Sequence, residues 1–309
     1  MSGRSALCTG VALAVALVPV AGLAETLPVS GIYPAANDGA ATLNTIAVEN
    51  FSGESGTALS FAITDVLDNA IVGGEPYFQV VPVSDDLIDA VMRGSAGFDT
   101  IETELDDREV TKCEKRDKDK KCIKEKITVY ECSELEVTFY PHIRLIATDG
   151  TEIYAKRDSL TESDSSCEND SSVPSARELL DGLIGSFASR VRYDLAPVFR
   201  DQQLRIMESR KGLNKADRRL FREAVKLTKS DIGKSCQGFA ALESANPGHV
   251  SVLFNMGLCA EGRGDLVAAE AYYERALQVE PGKDYPILGL KRIADRRRAD
   301  AQLKLHWGE

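Results

Sequence analysis

The stretch that most constrains this chain is VSVLFNMGLCAEGRGDLVAAEAYYERALQVEPGK, residues 250–283. It carries two helical periods separated by Gly264-Asp265, and Pro281 closes the second. Small residues stand where two helices must touch: Gly257 and Ala260 on the first, Ala269 and Ala276 on the second. Tyr273 is the large side chain expected to wedge between them. One such hairpin cannot bury its own apolar face, so helical neighbours are required on at least one side.

The first 24 residues bear on where the chain works. Arg4 precedes an apolar run, CTGVALAVALVPVAGLA, that ends in small residues. That order predicts a secretory signal peptide cut after Ala24 and a periplasmic mature chain. The run is too short and Ala-rich for a membrane span, and no second apolar run reaches spanning length. Cys8 lies before the apolar core, which does not fit a lipid-acylated cysteine.

The net charge of −11 argues against nucleic acid or an anionic membrane surface as the main partner. The tail is locally basic, with Lys291-Arg292 and Arg296-Arg297-Arg298 on one expected helix, read as a solvated face. Without Cys8, six cysteines remain. An even number in an exported chain points to disulfides, and no CxxC pair or nearby histidine favours a metal site.

Along the chain, residues 25–42 read as a loose leader. Leu43–Phe51 is a short strand, and SGESG is a Gly-rich turn into a helix with apolar positions at 59, 62, 63, 66, 67, 70 and 71. Tyr77–Val81 is the next strand, and Ser84–Met92 reads as a short helix. From about 99 to 165 the pattern is strand-like and charged. Asp149-Gly150 suits a two-residue hairpin turn flanked by strands 137–146 and 153–157, with Pro141 expected at an edge or bulge. In that register paired residues sum to 299, which sets Cys132 opposite Cys167. A second hairpin centred on Asp117-Lys118 would bring Cys113 to Cys122. Ser175–Glu178 is a capping box opening the next helix. Residues 198–214 read as a linker with room for a final strand, and the rest as helical.

Catalytic motifs are scarce. Ser52–Thr57 lacks the lysine and spacing of a phosphate loop. His142, His249 and His306 have no nearby nucleophile or carboxylate at triad spacing, and neither G-x-S-x-G nor H-E-x-x-H occurs.

The run Ile46-Ala-Val-Glu-Asn-Phe-Ser-Gly, followed by a helix, Tyr77–Val81 and the Asp149-Gly150 hairpin, resembles the periplasmic α/β domain of the curli-secretion CsgG family. The penicillin-binding-protein activator LpoB and the amino-terminal domain of TolB share that architecture. The resemblance covers 43–197 and implies a non-catalytic binding domain of the cell envelope. The 34 residues above resemble a tetratricopeptide repeat at Asn255, Met256, Gly257, Gly264, Asp265, Ala269, Tyr273, Ala276, Leu277 and Pro281. That resemblance covers 215–305. It implies a Cys236–Cys259 bridge between adjacent helices, and a peptide-binding face at Phe254, Leu258, Glu261, Leu288 and Arg292.

The expected fold is therefore α+β: an α/β sandwich-like domain with long hairpins at 43–197, then tetratricopeptide-type helices at 215–305. The expected role is a non-enzymatic periplasmic adaptor or scaffold binding protein partners in envelope assembly. No cofactor, metal or transmembrane segment is expected, and peripheral outer-membrane association is left open. A CsgG-like secretion component, an LpoB-like regulator of a cell-wall synthase and, less favoured, a hydrolase are the alternatives.

Overall fold

The computed structural model describes residues 25–83, 87–173 and 175–308. The expected signal peptide, residues 1–24, lies outside them. The fold is mixed α+β, sheet-rich first and helical afterwards. It divides into two compact units. Among the described residues, one takes those up to Pro28 together with Gln203–Pro286; the other takes Val29–Gln202 and those from Ile287 on.

The sheet unit is built on strands β1 (Thr26–Tyr33), β2 (Thr45–Val48), β3 (Ile71–Val72), β4 (Glu75–Pro76), β5 (Gln79–Val81), β6 (Ala90–Arg116), β7 (Cys122–Ala147), β8 (Glu152–Arg157), β9 (Leu160–Cys167) and β10 (Val198–Arg205). The main sheet runs β5-β2-β6-β7-β8, and β9 also pairs with β7. Helices α1 (Gly56–Asp68) and α2 (Ala176–Leu195) lie against it. Their apolar stripes meet the sheet in one core that includes Leu59, Ile63, Met92, Phe139, Ile143 and Phe187. Phe139 and Phe187 meet edge to face, with ring centres 6.4 Å apart. The Gly-rich turn before α1 is explained by contact: Gly53 has φ 91°, and a Cβ there would stand 2.3 Å from the Ala96 carbonyl oxygen. The capping box before α2 is present, with the Glu178 amide donating to Ser175 Oγ.

Several expectations are corrected. The segment 25–42 is not a loose leader: it holds β1, which pairs with β10, the final strand allowed for within 198–214. The helix expected at Ser84–Met92 gives way to strand β6, which starts at Ala90 and lies parallel to β2 (residues 84–86 lie outside the described residues). Pro141 is neither at an edge nor in a bulge. It sits inside β7, between β6 and the β8–β9 side. The Asp158 amide donates to its carbonyl at 3.2 Å, so the missing proline N–H points the same way, at the break between β8 and β9. No ladder donor is lost there.

The helical unit contains α3 (Lys215–Leu227), α4 (Ile232–Ala245), α5 (Val250–Gly262) and α6 (Leu266–Val279), arranged as two helical hairpins. Asn214, Asp231 and Asp265 cap three of them through side-chain oxygens. Gly264 turns α5 into α6 at φ 79°. Gly257 is obligatory, since a Cβ would fall 2.2 Å from the Tyr273 ring. Buried Asn255 bridges both the amide and the carbonyl of Met207 at 2.9 Å. The last helix, α7, runs from Asp284 to Trp307, and its residues from Ile287 on belong to the sheet unit.

Candidate interaction surfaces

The long β6–β7 hairpin extends beyond the sheet. Its register sums to 238 near the tip rather than 235, so the turn spans Asp117–Lys121 and Cys113 stands opposite Glu125. Irregular pairing between Cys113 and Arg116 shifts the rungs there. Asp117 Oδ1 holds the turn by accepting from the amides of Asp119 and Lys121, both at 2.9 Å. Cys113 is nonetheless bonded to Cys122, Cys132 to Cys167, and Cys236 to Cys259. Cys132 and Cys167 are direct cross-strand partners, at a register sum of 299.

That pair is the last rung between β7 and β9. Beyond it, ten residues of β7, Cys122–Glu131, pair with β6 alone. At ~3.3 Å per residue this two-stranded arm runs roughly 33 Å past the sheet. A bulge at Asp106-Asp107 marks its root, where Arg108 donates to Asp170 at 2.5 Å and holds that carboxyl below the usual carboxylate range.

In the helical unit the predicted binding face is not open. Phe254 packs between Tyr273 and Tyr285, with ring centres 5.6 and 5.4 Å away. Leu258 is buried, and buried Glu261 accepts the Tyr273 hydroxyl at 2.6 Å. These three side chains are interior contacts, because α5 is enclosed along almost its whole length. Leu288 is 53 % exposed and Arg292 partly so, but both belong to the other compact unit. An apolar groove of about 550 Å³ lies elsewhere on the helical unit, bordered by Leu27, Ile232, Ala240, Met256 and the Cys236–Cys259 bridge. The signal for it was Ile232, an apolar residue directly after the Asp231 cap and 43 % exposed.

The basic run on α7 is not a solvated face throughout. Arg298 donates to Asp38 Oδ1 and to the Ala36 carbonyl, both at 2.8 Å, and the Arg296 guanidinium lies over Gly31, where a Cβ would be 2.5 Å from Nε. Near the helix end, buried His306 stacks on Tyr77 at 3.9 Å and 11°. Burial lowers the His306 pKa and raises that of Tyr77, whose hydroxyl donates to the Ala41 carbonyl. Among the described residues no group of three or more His, Cys, Asp or Glu is placed to hold a metal ion, and no helix is long and apolar enough to cross a membrane. Three disulfides fit an oxidising, exported setting.

No family model and no curated protein matches the sequence. Among solved structures, the chain is similar to a minor lipoprotein from Acinetobacter baumannii. The match has 15 % identity and a TM-score of 0.26, over 48 % of this chain and 90 % of that one. A likeness at that level carries no functional argument.

Proposed function

We propose that this chain is a non-enzymatic adaptor of the bacterial cell envelope, holding a protein segment on its helical unit. The observation that supports the reading is the groove beside the Cys236–Cys259 bridge. It is open and apolar, and it is floored by helices α4 and α5, which the bridge holds at fixed spacing. Such grooves between packed helices take amphipathic or extended peptide segments through a few apolar anchors. The resemblance of residues 250–283 to a tetratricopeptide repeat agrees with that use, although the face employed is not the one that resemblance implied. Signal-directed export would place the adaptor in the periplasm, where a secretion complex or a cell-wall synthase is the kind of assembly it would serve.

The test is in-cell photo-crosslinking from position 232, followed by mass spectrometry. A specific envelope protein captured there, and lost when Met256→Glu places a charge in the groove, carries the reading. Crosslinks confined to this chain's own residues would make the helices an internal brace and sink it.

A further inference from the structure

The β6–β7 arm buries almost nothing of its own. A two-stranded ribbon alone is marginal in water at best. This one is bracketed by covalent bonds, Cys113–Cys122 at its tip and Cys132–Cys167 at its root. Its charge is sorted along its length. Residues 112–126 at the tip carry eight basic and four acidic side chains. The root segments 99–109, 131–136 and 162–170 carry thirteen acidic residues and one basic, Arg108, which is committed to Asp170. Among the described residues Lys112, Lys118, Lys121 and Lys126 have no ion-pair partner; Lys124 is taken by Glu114. The root holds an open groove of about 710 Å³ bordered by Glu102, Glu104, Asp107, Glu131 and Glu168. Strand alternation puts Val129 and Ile127 on the same face as Glu131, and they are 50 and 59 % exposed. This face continues the one that packs against the helices at Val137 and Phe139, and among the described residues no helix covers it.

We propose that the arm is a self-association element. Two copies lay their arms side by side and antiparallel, each basic tip against the acidic root of the other. The occupant is a second copy because the chain itself carries both complementary surfaces on one ribbon. A two-fold pairing satisfies both contacts at once and closes, whereas a parallel pairing would set root against root. The same pairing covers Ile127 and Val129, which a purely electrostatic contact would leave in water.

Sedimentation of the full exported chain tests this in about 50 mM and about 500 mM salt, since the attraction between tip and root is screened as ionic strength rises. A dimer is expected at low salt, weakened roughly tenfold or more at high salt. Lys118→Glu/Lys121→Glu/Lys126→Glu at the tip, or Glu102→Lys/Glu104→Lys/Asp107→Lys at the root, should each weaken it roughly tenfold or more, and the two sets combined should restore it. All six side chains are exposed, and an unchanged circular dichroism spectrum with intact disulfides checks the fold. A monomer at low salt overturns the proposal. So does a dimer indifferent to either reversal, or a combined variant that stays monomeric.

Discussion

Cys132 and Cys167 face each other directly across the β7–β9 ladder, and their bond closes the last rung before the arm leaves the sheet. The bond therefore lies where sheet support ends, and it links residues 35 apart in sequence. The tip bond, Cys113–Cys122, closes a separation of only 9.

Loss of these two bonds should be felt differently. On the chain-entropy model, Cys132→Ser/Cys167→Ser costs about 3–4 kcal/mol, measured by denaturant unfolding. Cys113→Ser/Cys122→Ser should instead raise amide exchange within 106–131 and leave the global midpoint nearly unchanged. Equal midpoint shifts for both pairs would show that the arm unfolds together with the sheet.

Gly257 and Gly185 make a matched pair of substitutions with opposite signs. Gly257→Ala drives a methyl into the Tyr273 ring and should destabilise the helical unit by about 1–3 kcal/mol. Gly185 is exposed in the middle of α2, with nothing within 4 Å of an added Cβ. Gly185→Ala should stabilise by roughly 0.5–1 kcal/mol. Thermal melts of the two variants give the comparison.

Asn255 is fully buried, and its side chain satisfies both backbone groups of Met207. Asn255→Ala leaves that amide and carbonyl without partners, at a cost of about 1–3 kcal/mol for each group left unsatisfied. Asn255→Asp keeps the acceptor for the Met207 amide but loses the donor to its carbonyl, so it should rescue little. Chemical denaturation ranks the two.

His306 makes stability depend on pH. Burial disfavours its charged form, so the folded chain keeps the ring neutral to lower pH than the unfolded chain, whose imidazole titrates near 6.5. The carbonyls of Ala41, Tyr77 and Leu43 and the Asp89 carboxylate oppose the shift without reversing it. Above 6.5 the contribution is fully present. It is lost as pH falls from there through the folded-state value, because the unfolded chain binds the proton first. His306→Asn should flatten this slope in denaturation curves recorded at about pH 7.5 and about pH 5. His249, also lowered by burial, contributes in the same direction.

Much of the sheet unit was legible because its signals are local. The Asp149-Gly150 turn fixed a register that carries through two strands to Cys132 and Cys167, with one irregularity beside the turn and a break opposite Pro141. The tip register went astray by three because charged residues without alternation give no rung preference, and Asp117 rather than a glycine organises the turn. Strand β1 was missed although Leu27, Val29 and Tyr33 alternate inward, since Pro28 and Gly31 read as breakers. Its partner β10 lies about 170 residues later, and Gly31 is small because the Arg296 guanidinium lies over it. Residues 87–92 suit either helix or strand period, and the pairing of Ala90–Met92 with both β2 and β7 decides between them. The repeat pattern located α5 and α6 correctly. It did not show that Phe254, Leu258 and Glu261 would be enclosed: Tyr273 lies within the 34 residues but was read only as a wedge between the helices, and Tyr285, which also covers Phe254, lies outside them.

The two compact units interleave along the sequence. The polypeptide passes between them at Pro28, Gln202 and Pro286, so the helical hairpins read as an insertion inside the sheet unit's own chain. Synthesis proceeds from the amino terminus, so His306 and Trp307 follow the helices of the inserted unit. Tyr77 therefore gains its stacking partner only after α3–α6 have been made. A fragment cut at the start of α3 would keep every strand of the sheet and still lack its last piece.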